Sequence, residues 1–221
     1  MIEAVLNRPV ILSLCDLTGN FVKPWVEAGY GAVLVDPAHG LDHTNGSVVA
    51  LARTVEEAMP EIGRLLSGGG VKFVASFPPC THLAVSGARW FSEKRQGDPL
   101  FQVRAGMVAE SCRTIGATSG VPYFVENPVS VLSSLWGKPN YTFQPWHYAG
   151  WEPSENYTKK TCLWTGNGFT LPPIKPAPEL GEPDDRIHKA PPGPGRANFR
   201  SATPKGFSKA VFAHFSQAVA A

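Results

Sequence analysis

The sequence predicts an α/β protein built on a doubly wound, largely parallel sheet. Three observations carry this reading: apolar runs of strand length, helix-period segments between them, and connections short enough to force adjacent packing. The runs PVILSLC (9–15), AVLVD (32–36), VKFVASF (71–77) and PYFVE (122–126) are apolar on both faces, as strands covered by helices on either side must be. Between them, FVKPWVEAGY (21–30) and LFQVRAGMVAESCRTIGAT (100–118) read as helices. In the second, Phe101, Ala105, Val108, Cys112 and Ile115 form one stripe at spacings of three and four. Pro60 divides VVALARTVEEAMPEIGRLL (48–66), because its ring removes a helical hydrogen bond, so the first half reads as a further strand and the second as a helix.

The chain has 221 residues, 43% hydrophobic and 17% charged, which suits one full domain or one domain with a small appendage. This is the composition of a globular chain, neither disordered nor lipid-embedded, and no apolar run has the length of a membrane helix. The first ten residues include an acid and no long apolar stretch, so a cytoplasmic monomer without a secretory signal is expected. Cys15, Cys80, Cys112 and Cys162 lie far apart and form no CxxC pair, which argues against zinc ribbons, other metal sites and a disulfide framework.

Eight of the 21 prolines fall between Pro172 and Pro194, in a stretch without apolar period that reads as a loop or extended connector. From Arg186 onward there are six basic residues and no acid, whereas residues 1–185 carry 14 basic against 18 acidic residues. A basic segment of that kind suits contact with a polyanion.

In doubly wound sheets ligands sit at the carboxyl ends of the strands. The first strand runs into CDLTGNF, where Gly19 is the only glycine, and the second ends at Asp36. A dinucleotide would require more glycines, so that backbone amides can wrap its pyrophosphate. One glycine for close approach and one acid for ribose hydroxyls fit S-adenosyl-L-methionine better. The strand at 71–77 leads into SFPPCTHLAVSGARWF (76–91), whose two prolines display Cys80 on a rigid corner. The fourth strand ends in FVENP, placing Glu126 where burial would raise its pKa toward proton donation near neutrality. Cys15, Cys112 and Cys162 read as packing residues.

CDLTGNF, FPPC followed by SGAR, and FVENP occur in the order and spacing that resemble the DNA (cytosine-5) methyltransferase family. The resemblance covers roughly residues 10–130. It implies a Rossmann-like, S-adenosyl-L-methionine-dependent methyltransferase fold, with a short proline-rich C-terminal appendage. It makes Cys80 the nucleophile and Glu126 the cytosine-binding acid. Asp16, Thr18, Gly19, Asp36 and Pro78 become cofactor contacts, and Ser86, Arg89 and Asn127 substrate contacts. NYTKKTCLW (156–164) is similar to the strand on which the family carries paired arginines; Lys160 is the substrate contact expected there. The chain departs from the family in its glycine-poor turn Thr18-Gly19-Asn20 and in ENP in place of the commoner Glu-Asn-Val.

The organisation implied is a catalytic and cofactor-binding core over 1–150, a reduced recognition region with a proline-rich basic loop over 151–199, and a closing helix over 200–221. In that helix Phe207, Val211 and Phe215 form an apolar stripe. The partner implied is DNA, with the target base turned out of the stack. An RNA cytosine-5 methyltransferase, and an inactive nucleic-acid-binding relative that regulates a partner, remain as alternatives.

Overall fold

The computed structural model describes residues 1–191, 193 and 195–216. Pro192, Pro194 and the last five residues of the expected closing segment lie outside the described residues. Among the described residues eight strands form one sheet: β1 (Val10–Leu14), β2 (Gly31–Val35), β3 (His43–Asn45), β4 (Val48–Leu51), β5 (Val71–Ser76), β6 (Tyr123–Pro128), β7 (Tyr141–Phe143) and β8 (Thr161–Gly166), in the order β3-β4-β2-β1-β5-β6-β8-β7. Strands β4, β2, β1, β5 and β6 run parallel. At the edges, β3 is antiparallel to β4, and β8 is antiparallel to both β6 and β7. The helices are α1 (Lys23–Glu27), α2 (Met59–Ser67), α3 (Phe91–Gly97), α4 (Phe101–Thr118), α5 (Leu132–Trp136), α6 (Arg186–Lys189), α7 (Arg196–Ser201) and α8 (Lys205–Phe215).

The expected α/β sheet is present, and its central strands are buried on both faces. On one side Leu12, Leu14, Val33, Val35, Val74 and Val125 pack with Ile62 and Leu65 of α2 and Cys112 and Ile115 of α4. On the other, Ile11, Leu34, Phe73, Phe124 and Leu163 pack with Phe21, Trp25 of α1, and Phe207 and Val211 of α8. Alternation along each strand thus sends successive side chains to two cores. Pro60 falls in the first turn of α2, where its missing N–H costs nothing, and the residues before it include β4, as its position implies.

The helix expected over 21–30 shrinks to the five residues of α1, because Gly29, at φ +94°, ends it. The stripe of α4 includes Ala109 as a fully buried member, while Val108 is half-buried.

The closing helix α8 is tied down from a distance. The carboxylate of Glu155 accepts the backbone N–H groups of Lys205 (2.7 Å) and Gly206 (2.9 Å), two donors that the first turn of a helix leaves without partners. Burial pushes the Glu155 carboxyl up, against the pull of those two amides. Gly206 sits so close to the chain that an added Cβ would lie 2.6 Å from the Tyr148 carbonyl oxygen. Gly206→Ala is therefore expected to cost about 1–3 kcal/mol by overpacking, seen as a lower denaturation midpoint at unchanged slope.

The proline-rich stretch is a strap and not a free linker. Gly150 N donates to Lys175 O, Lys175 N to His147 O, and the Tyr148 hydroxyl to Pro172 O. Lys175 also lies over the Trp151 ring at 4.7 Å.

Candidate active site

The order of the strands reverses between β1 and β5, so the loops leaving β1, β2, β5 and β6 surround the crevice where such sheets take ligands. Cys15 ends β1 in the left-handed region, at φ +55°, and turns the chain into the Asp16 loop. Asp16 is 3% exposed. Its Oδ1 accepts from Thr18 N (3.0 Å), Thr18 Oγ1 (3.1 Å) and Gly19 N (2.8 Å), and its Oδ2 from Ser13 Oγ (2.8 Å). Both carboxylate oxygens are thereby engaged inside the loop, where Asp16 shapes the turn. Asp16→Ala is expected to leave four donors without their acceptor. It should lower stability by about 1–3 kcal/mol, read from the denaturation midpoint.

Thr18 is exposed at the tip of the loop, and Gly19 adopts φ +64°. At the end of β2, Asp36 accepts from Ala38 N (2.8 Å) through Oδ1 to cap the short turn Pro37–His39. No bond to its other oxygen occurs among the described residues.

At the end of β5 the chain enters Pro78-Pro79-Cys80. Pairing of Ser76 with Val125 brings this corner beside the end of β6, one residue before Glu126. The two exits are then stitched together: Val85 N donates to Val129 O and Val131 N to Leu83 O, both at 3.0 Å. Pro78 and Asn127 were expected against cofactor and substrate. Instead they hold each other: the fully buried Asn127 donates from Nδ2 to Pro78 O (2.9 Å), and the Pro78 ring is itself buried. They fix the corner that presents Cys80, and Asn127 Oδ1 is left buried without a hydrogen-bond partner among the described residues.

Cys80 and Glu126 are close enough for charge on one to govern the other. Burial pushes the Cys80 thiol up, and the Glu126 charge adds to this, while Lys159, a backbone hydrogen bond and Arg200 pull it down. Burial likewise raises the Glu126 carboxyl, opposed by Lys159. Glu126 Oε1 is buried with no hydrogen-bond partner among the described residues. A buried polar atom left unpaired costs stability and calls for an explanation, of which a catalytic role is one.

Lys159, not Lys160, belongs to this cluster. Strand alternation explains the difference: Glu126 pairs with Leu163, and Lys159 shares the parity of Leu163 and Thr161, whereas Lys160 shares that of Cys162 on the other face. Lys159 is only 9% exposed, and its Nζ donates to the carbonyls of Ala202 (3.0 Å) and Ser201 (3.4 Å) at the end of α7. Arg200, on the same helix, adds a weaker pull on the Cys80 thiol, and its Nε is buried and unpaired among the described residues. Reading back two residues at a time from Leu163 points to Lys159; no local pattern points to Arg200.

Ser86 and Arg89 are exposed on the segment that follows Cys80, with the Arg89 guanidinium 5.0 Å from the centre of the Trp90 ring. Half of the basic C-terminal segment is compensated by carboxylates. Arg186 pairs with Asp184, Lys189 with Asp185 (2.9 Å) and Lys209 with Glu152 (2.8 Å), while Arg196 donates to Ala190 O. Two of the acids that answer it, Asp184 and Asp185, stand just before Arg186 in the chain. Among the described residues no group of three or more His, Cys, Asp or Glu could hold a metal ion, and no helix is long and apolar enough to cross a membrane. Compared with known proteins, the chain matches no protein-family model and no curated sequence.

Proposed function

We propose that the protein is a methyltransferase of Rossmann-like fold that uses S-adenosyl-L-methionine to methylate C5 of cytosine in DNA. One observation carries this reading: Cys80 and Glu126 stand at the carboxyl ends of neighbouring parallel strands, the charge of Glu126 acts on the Cys80 thiol, and a buried Glu126 oxygen is left without a partner among the described residues. The switch in strand order at β1 and the antiparallel β7–β8 edge are compatible with the fold.

The β1 loop supports a cofactor without phosphates. Its Thr18 and Gly19 amides turn inward onto Asp16, so they do not form the cradle a pyrophosphate needs. Gly19 keeps the turn free of a side chain, and Asp36 has an oxygen to offer a ribose hydroxyl. Thr18, Gly19 and Asp36 are thus the residues that would hold S-adenosyl-L-methionine, which supplies an electrophilic methyl group on a sulfonium.

The chain's own residues supply the rest. The Cys80 thiolate forms a bond to C6 of the cytosine, displacing the 5,6 π electrons toward N3, where Glu126 gives up its proton. C5 then has the electron density of an enamine carbon. Once C5 carries the methyl group, N3 returns its proton to Glu126, a water molecule takes the C5 proton, and expulsion of the Cys80 thiolate restores the 5,6 double bond. A protonated Glu126 removes the charge that opposes the thiolate, and Lys159 and Arg200 favour it. Bisulfite sequencing of DNA incubated with the protein and cofactor tests the proposal. Protected cytosines are expected; unprotected DNA together with methyl label in RNA would contradict the DNA assignment.

A further inference from the structure

We infer that the cleft between α5, β7 and the start of β8 seats a phosphodiester of the DNA strand whose base enters the Cys80 site; this rests on the function proposed above. The cleft is open, has a volume of about 330 Å³ and is lined by Val129, Ser133, Lys138, Thr142, Lys160 and Cys162 among others, with no acid. Lys138 and Lys160 make no ion pair among the described residues, and they are the two cations that line this cleft together. Two uncompensated ammonium groups with the Ser133 and Thr142 hydroxyls form a donor set for a phosphate, which offers only acceptors.

Position adds the second argument. β6 leads Glu126 to Pro128 and then directly into Val129 of the cleft wall, and β8 pairs Pro128 with Thr161, next to Lys160. The paired ends of β6 and β8 therefore serve both places: Glu126 faces the Cys80 side and Lys160 the cleft, on opposite faces of the sheet. A strand crossing that edge would have its backbone at the lysines while one base reaches Cys80. Lys160, expected from the sequence as a contact to the base, thereby becomes a contact to the backbone, a role for which a point charge is sufficient.

The test compares wild-type protein with Lys138→Gln/Lys160→Gln, binding a fluorescent oligonucleotide that contains no cytosine, across a range of salt concentrations. Each phosphate neutralised contributes roughly 0.7–0.9 to the slope of log affinity against log salt. The double variant should lose about 0.7–0.9 of that slope, and Lys138→Arg/Lys160→Arg should restore it. An unchanged slope in the glutamine variant, or no binding by wild type, would overturn the assignment. Trapping of 5-fluorocytosine DNA at Cys80 is measured in parallel: wild type that traps while the variant keeps its slope removes the cleft alone, whereas absence of trapping removes the function on which it rests.

Discussion

Cys80→Ser is expected to abolish methyl transfer, a loss of at least about a thousandfold, while folding and cofactor affinity stay near wild type. The thiol is half-buried on a corner whose shape comes from two prolines and from the Asn127 bond to Pro78, and none of these depends on the sulfur. A serine hydroxyl fits the same space. It fails because the hydroxyl stays protonated at neutral pH, and the positive charges of Lys159 and Arg200 are far too weak to ionise it. Methyl incorporation and calorimetric titration of the cofactor check both halves. A serine variant with appreciable turnover would remove covalent catalysis from the account, and one that loses cofactor affinity would mean that Cys80 supports the loop and not the reaction.

Glu126→Gln should lower turnover by roughly 10²- to 10³-fold and yet make the protein more resistant to heat at alkaline pH. The Glu126 carboxyl lies in a desolvated place that raises it above its ordinary value of 4.5. With the folded value above the unfolded one, the stability linked to the neutral acid is fully present below the unfolded value and is lost as pH rises through the folded value. Above that window the wild type holds a buried charge that Lys159 only partly offsets, whereas glutamine stays neutral throughout. The gain in melting temperature over wild type should therefore be larger at pH 8 than at pH 4. A variant that is less stable at pH 8 than at pH 4 relative to wild type, or that retains turnover within a few-fold, would count against Glu126 as the buried acid.

The parts of the site that were legible in the sequence are those whose signals are local. Strands apolar on both faces mark the centre of a covered sheet, and β1, β2, β5 and β6 follow them closely. Cys80 stands out because two prolines precede it at a strand end, and Glu126 because an acid there must find a reason to be buried. The three-residue strands β3 and β7 are too short to show any period, and each forms only because a neighbouring strand offers its edge. The choice between Lys159 and Lys160 depends on where β8 begins, since a shift of one residue exchanges the faces. Arg200 acts on the thiol from a helix held by the Lys159 bonds, so its role arises from tertiary packing. Counting charge from Arg186 onward overstated the free positive charge, because Asp184 and Asp185 lie immediately before that boundary and pair across it.

The central claim is that the Cys80 sulfur bonds to C6 of cytosine while Glu126 protonates the ring. Its most direct test is mass spectrometry under denaturing conditions on protein incubated with cofactor and a 5-fluorocytosine oligonucleotide, where the missing C5 proton prevents release. The account predicts one adduct with the mass of protein, oligonucleotide and a methyl group, mapped after digestion to the peptide that contains Cys80, and its disappearance in Cys80→Ser. No adduct, or an adduct on Cys15, Cys112 or Cys162, would contradict it.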